Sequence, residues 1–161
     1  MSKVSFRHAR FGTLIPSALA LALATGWAAR EVAHARTLAE HVKSGTINVD
    51  KVEMKDTLYE GKHVGKNGVY LMGDTPGSTK FVTGRFVIPA GKSPHPPHTH
   101  AEEEVMIVEA GTGEIFCDGK TTKVGPGSVM YTVPEAPHAI TNTGDKDLTF
   151  YYIKWVGKPA G

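Results

Sequence analysis

From Val69 to Trp155 short apolar runs alternate with turn-forming residues. The runs are VYLM (69–72), KFVTGRFVI (80–88), EVMIVEA (104–110), GEIFC (113–117), TTKV (121–124), SVMYTV (128–133), HAITN (138–142) and LTFYYIKW (148–155). Each is rich in β-branched or aromatic residues and bounded by Gly, Pro or Asp, which predicts an all-β antiparallel sandwich or barrel. Asp118-Gly119 is a pair that tolerates positive φ and predicts a tight hairpin, while Gly111-Thr112-Gly113 and the stretch Asn142 to Asp145 predict looser reversals. Residues 36–68 are polar and lack a sustained apolar period, so short strands are expected there without fixed positions. The run 104–110 is apolar on both faces, Met106 and Val108 pointing one way and Val105 and Ile107 the other. Such a strand needs cover on both sides. In a domain this small the second cover is expected from a partner subunit, giving a homodimer.

The first 35 residues have a different pattern. Lys3, Arg7 and Arg10 make a positive start, Phe11 to Ala29 is uncharged, and Ala33-His34-Ala35 is a small-x-small cleavage pattern. This predicts a Sec-type signal peptide over residues 1–35 and a secreted or periplasmic mature chain. The alternative is an uncleaved membrane anchor, since the uncharged run approaches the roughly 20 residues that a spanning helix needs. Pro16, Gly12 and Gly26 weaken that helix, and no adjacent arginine pair suggests twin-arginine export. The net charge of +2 arises largely in this leader, leaving the rest near neutral. Nothing in that balance suggests a nucleic-acid or anionic-membrane partner. Cys117 is the only cysteine, so an internal disulfide is excluded and stability must come from a hydrophobic core. The expected organisation is leader 1–35, polar segment 36–68, barrel 69–156 and tail 157–161.

The chemistry is concentrated in HPPHTHAEEE, residues 95–104. His98 and His100 are one residue apart, so on an extended strand both rings point to one face, about 6 to 7 Å apart, and can converge on one ion. Glu104 would lie about 13 Å beyond His100 on a straight strand, so its participation requires a bend through Ala101-Glu102-Glu103. His138 follows the turn Pro134-Glu135-Ala136-Pro137, where prolines restrict the approach.

Gly91-x6-His98-x-His100-x3-Glu104-x6-Gly111 resembles the first motif of the cupin superfamily, and Gly127-x6-Pro134-x-Ala136-x-His138-x3-Asn142 resembles the second. The departures are a first motif one residue longer before His98, and a second motif with a longer spacer, Ala136 in place of glycine and a shorter gap before His138. The resemblance covers roughly residues 80–155 and implies a small single-domain, RmlC-like cupin, folded as a double-stranded β-helix or jelly-roll barrel. It further implies that His98, His100, Glu104 and His138 bind one divalent metal ion. Three imidazoles and a carboxylate suit Fe, Mn, Ni, Co, Cu or Zn, and four ligands leave two positions of an octahedral shell for water, oxygen or substrate. The expected function is a metal-dependent enzyme, oxygenase- or oxidoreductase-like, acting on a small polar metabolite. The alternatives are a non-redox isomerase or lyase, a non-catalytic module binding a sugar or other small molecule, and a barrel that keeps its ligands for stability alone.

Other residues divide between chemical and structural readings. Tyr131 precedes His138 and is a candidate catalytic acid or base, or else a core residue. His95, among prolines, could line a pocket mouth or sit exposed on a rigid loop. Arg85 could bind a substrate carboxylate or fill a polar strand position. Glu102 and Glu103 are expected in solvent, Asn142 as the brace of a turn, and Cys117 as an inert buried thiol.

Overall fold

The computed structural model describes residues 45–159. The proposed signal peptide lies outside them. After one 3₁₀ turn, Val49–Lys51, every regular element among the described residues is a strand: β1 Lys55–Tyr59, β2 Lys62–Gly73, β3 Ser78–Ile88, β4 Glu103–Ala110, β5 Gly113–Cys117, β6 Lys120–Val124, β7 Val129–Thr132, β8 His138–Thr141 and β9 Leu148–Gly157. They form a six-stranded sheet, β1-β2-β3-β9-β4-β7, and a three-stranded sheet, β6-β5-β8, and the pairings among these strands are antiparallel. This is the all-β antiparallel architecture expected from the spacing of apolar runs, and the jelly-roll arrangement that the cupin resemblance implies.

The eight expected runs all contain strands, with ends shifted by a few residues. What the pattern did not place is β1 and the first half of β2, which lie before Val69. At Asp118-Gly119 both residues have positive φ, 46° and 81°, so the hairpin between β5 and β6 closes in the way its sequence suggests.

Period-two alternation sorts each strand into two faces. Phe86 and Ile88 of β3, Met106 and Val108 of β4, Met130 of β7, Ile140 of β8, and Leu148, Phe150 and Tyr152 of β9 turn inward and form one apolar core with Ile115. The rings of Phe86 and Phe150 stack 5.9 Å apart inside it. Along the same inner faces the character changes toward one end. Glu104 precedes Met106 and Val108, and Lys154 follows Phe150 and Tyr152, so the apolar packing gives way to charged and polar groups there.

Asn142, completely buried, ties the opposite end of the fold together. Its Nδ2 donates to the carbonyls of Ile88 (2.8 Å) and Lys146 (2.7 Å), and its Oδ1 accepts from the Gly144 N–H (3.0 Å). It braces the turn after β8, as expected, and joins that turn to the end of β3.

Candidate metal centre

His98 and His138 lie far apart in sequence but are joined by a reciprocal backbone pair. The His98 N–H donates to the His138 carbonyl (3.1 Å) and the His138 N–H to the His98 carbonyl (3.0 Å). A second tie runs from the Glu135 N–H to the His100 carbonyl (2.9 Å). These three bonds fix the proline-rich loop against the turn between β7 and β8, and they set the imidazoles close together. Ring centroids are 4.6 Å apart for His98 and His138, 4.8 Å for His100 and His138, and 5.3 Å for His98 and His100. The three residues form a cluster that could hold a metal ion, with one ring nitrogen from each lying within 4.8 Å of the others.

The chain bends at Ala101-Glu102, and β4 begins at Glu103. Glu104 thereby reaches the cluster: its Oε2 is 2.9 Å from His100 Nε2 and 3.0 Å from His138 Nε2. The other nitrogens of these rings are already committed. His100 Nδ1 lies 3.0 Å from the Glu102 carbonyl and His138 Nδ1 lies 2.9 Å from the Ala136 carbonyl. A carbonyl oxygen can only accept, so both Nδ1 atoms carry hydrogen, and in the neutral imidazoles both Nε2 atoms present lone pairs. Two lone pairs then face a carboxylate oxygen, an arrangement that becomes favourable only with protons or a cation between them. Backbone carbonyls that fix the tautomer in this way are the usual outer support of metal-ligating histidines. His98 adds a buried Nδ1 that has no hydrogen-bond partner among the described residues. The donor set therefore fits a first-row divalent ion.

Electrostatics of the chain alone point the same way. Burial disfavours the charged form of Glu104, yet with protons on the two facing Nε2 atoms the hydrogen bonds from His100 and His138 overcome it and bring the carboxyl down to about 2. Burial, with His95, His138 and His100 nearby, brings His98 down to about 3 and keeps its ring neutral at physiological pH. Burial also lowers His138, but the Glu104 carboxylate more than offsets this and its net shift is upward.

The remaining candidates separate clearly. Tyr131 lies on the opposite face of the sheet: Thr132, paired with Glu104, points inward, so its neighbour points outward. Tyr131 is 52% exposed and its hydroxyl donates to Glu103 at 2.7 Å. The expectation of an acid or base beside the cluster is thus not met by this phenol, because its strand parity is the wrong one. Arg85 is paired with Glu109, Nε to Oε2 at 2.9 Å. His95 packs edge-on against His98 with centroids 4.0 Å apart, and burial lowers its pKa. The Ser93 hydroxyl, within reach of the His95 and Ile140 carbonyls (2.8 and 2.7 Å), anchors that loop to β8. Glu102 sits 3.5 Å from His100 Nδ1 and 3.9 Å from Lys80, closer to the site than a solvated bend residue would be. Cys117 is partly buried, its Sγ 3.9 Å from the Tyr131 carbonyl.

Sequence reasoning passed over Lys154, which the register places directly across from Glu104 on the inner face. The signal was present: Leu148, Phe150 and Tyr152 define an inward parity that Lys154 continues.

The fold has counterparts in known proteins. The cupin domain family model matches residues 84–154. Among solved structures, a predicted oxalate decarboxylase from Thermotoga maritima superposes with a TM-score of 0.60 at 23% identity, covering 70% of this chain and 99% of its own. An RmlC-like cupin from Shewanella frigidimarina gives 0.56 at 14% identity, covering 73% and 95%. The polyketide cyclase RemF from Streptomyces resistomycificus gives 0.57 at 22% identity, covering 73% and 83%. No curated protein matches the sequence. With the jelly-roll strands and the paired histidine segments beside it, the domain match makes residues 84–154 a cupin domain.

Proposed function

We propose that the protein is a metal-dependent cupin enzyme in which His98, His100, Glu104 and His138 hold one divalent ion and a small polar metabolite is the substrate. The observation that carries this reading is the convergence of two Nε2 lone pairs on one Glu104 carboxylate oxygen while both Nδ1 atoms are committed to backbone carbonyls. When bound, the ion supplies Lewis-acid activation and, where it is redox-active, electron transfer in oxygenase- or oxidoreductase-type chemistry. The chain's own contributions are distinct. Glu104 balances charge, the Glu102 and Ala136 carbonyls hold two rings in one tautomer, and the apolar core below excludes water from one side of the centre.

Metal analysis of the protein purified from its native compartment tests the proposal. One equivalent per chain, lost when His98 and His138 are both changed to alanine, is the expected result; a native chain without metal overturns it. Iron would select the oxygen-dependent branch, whereas zinc would select isomerase- or lyase-type Lewis-acid chemistry.

Two further readings accompany this one. We propose a homodimer because the outer face of the larger sheet remains apolar. Ile107 (37% exposed) pairs across to Val129 (64% exposed), and Val105 pairs with Tyr131 and Ile153. Light scattering at micromolar concentration should return twice the chain mass, and a monomer mass would refute the dimer. We also propose export, which N-terminal sequencing of the mature chain tests: a start at Arg36 supports cleavage after Ala35, and an intact Met1 contradicts it.

A further inference from the structure

We propose that Lys154 is an anion anchor, and that the ligand of this site is a small organic acid held by its carboxylate between the Lys154 ammonium and the histidine cluster. The inference rests on the metal-centred reading above and narrows its substrate class.

Placement comes first. Lys154 lies opposite Glu104 across the β4–β9 ladder and opposite Val82 across the β3–β9 ladder, so its side chain shares the inner face with the cluster. Its Nζ lies 5.8 Å from the centroid of the Tyr152 ring, on the same side of β9, which supports the ammonium by a cation–π contact. From there its charge acts on Glu104, His138 and His95.

The charge has no counter-ion of its own among the described residues. Among the described residues Lys154 makes no ion pair, in contrast to Lys80, which reaches Glu102, and Arg85, which reaches Glu109. The carboxylate across the ladder, Glu104, is already engaged by His100 and His138. A partly buried ammonium without a carboxylate partner favours an incoming anion. A divalent ion with one glutamate leaves a single positive charge at the centre, and Lys154 adds another, so a neutral metabolite would leave both unbalanced. The Tyr152 ring is itself held in place, its hydroxyl donating to Asn67 Oδ1 at 3.1 Å. Gly84 makes room for that ring, because a Cβ at its position would run into it.

Calorimetry tests this on the full chain, stripped with EDTA and reloaded with Ni²⁺, with malonate as the probe and metal content measured in every sample. Lys154→Met and Lys154→Gln should each weaken malonate binding by about tenfold or more, as expected for loss of one charge-assisted hydrogen bond, while Ni²⁺ stays at one per chain. Lys154→Arg should retain affinity to within about threefold, because the positive charge remains. Affinities of Lys154→Met and Lys154→Gln within about twofold of wild type, a difference of only a few tenths of a kcal/mol, would overturn the inference. So would a loaded wild-type chain that binds no malonate. Both of those results leave the metal centre standing; a wild-type chain that takes up no Ni²⁺ overturns the metal-centred reading itself, and this one with it.

Discussion

Asn142→Ala offers a test of how the fold is held together at the end away from the metal centre. The side chain is completely buried and makes three hydrogen bonds, donating to the Ile88 and Lys146 carbonyls and accepting from the Gly144 N–H. Its backbone bonds, to Lys92 and from Gly91, are untouched by the substitution, so only the side-chain contribution is lost. Three net hydrogen bonds amount to about 3 kcal/mol, and leaving the Ile88 carbonyl buried without a donor raises the expected loss to about 3–5 kcal/mol. In a domain of this size that lowers Tm by about 10 °C or more. Asn142→Asp at pH 7 should be at least as damaging, because carboxylate lone pairs would then face two carbonyl oxygens. Its folded-state pKa is expected to rise above the unfolded value, so the folded state holds the proton more tightly and the variant's stability falls as pH rises between the two values. Acidification should therefore bring Asn142→Asp back toward Asn142→Ala. Urea unfolding followed by circular dichroism, with EDTA present throughout, measures all three proteins. An Asn142→Ala variant within about 1 kcal/mol of wild type, less than a single lost buried bond should cost, would refute the reasoning. So would an Asn142→Asp variant more stable than Asn142→Ala at pH 7.

Other expectations follow from the same geometry. Glu104→Gln keeps the shape but removes the negative charge among the histidines, and metal affinity measured by competition with a chelator should fall by about 100-fold or more. Metal added at about a hundredfold excess over Kd should raise folding stability by about 2.7 kcal/mol, and a thermal melt that does not shift would contradict specific binding to the native state. Gly84→Ala places a methyl group 2.7 Å from the Gly68 carbonyl and against the Tyr152 ring. It should cost about 1–3 kcal/mol by overpacking, read as a lower melting temperature.

The strands beyond Thr79 were legible because each has a buried face and turn residues at its ends, so both periodicity and punctuation appear in the sequence. β1 is an edge strand with a single buried residue, Thr57, and β2 begins with the exposed pair Lys62 and His63, so neither start carries an apolar alternation. The histidine spacing and the need for a bend before Glu104 were readable from residue identity and strand geometry alone. What spacing could not supply was register. The backbone pair between His98 and His138 and the parity that turns Thr132 inward and Tyr131 outward both depend on how distant segments align. A one-residue change of parity separates a candidate acid beside the cluster from an exposed phenol bonded to Glu103. Lys154 escaped notice for the converse reason: a lysine in an aromatic strand reads as a solvent-facing position until the strand's inward set is known.

An anomalous difference map, recorded at the absorption edge of the metal carried by crystals of the reloaded protein, examines the proposed centre most directly. One peak is expected, about 2.0–2.2 Å from the Nε2 atoms of His100 and His138, a Glu104 carboxylate oxygen and a ring nitrogen of His98. A map with no peak among these four side chains, or with its only peak elsewhere on the chain, would contradict the metal centre and the function built on it.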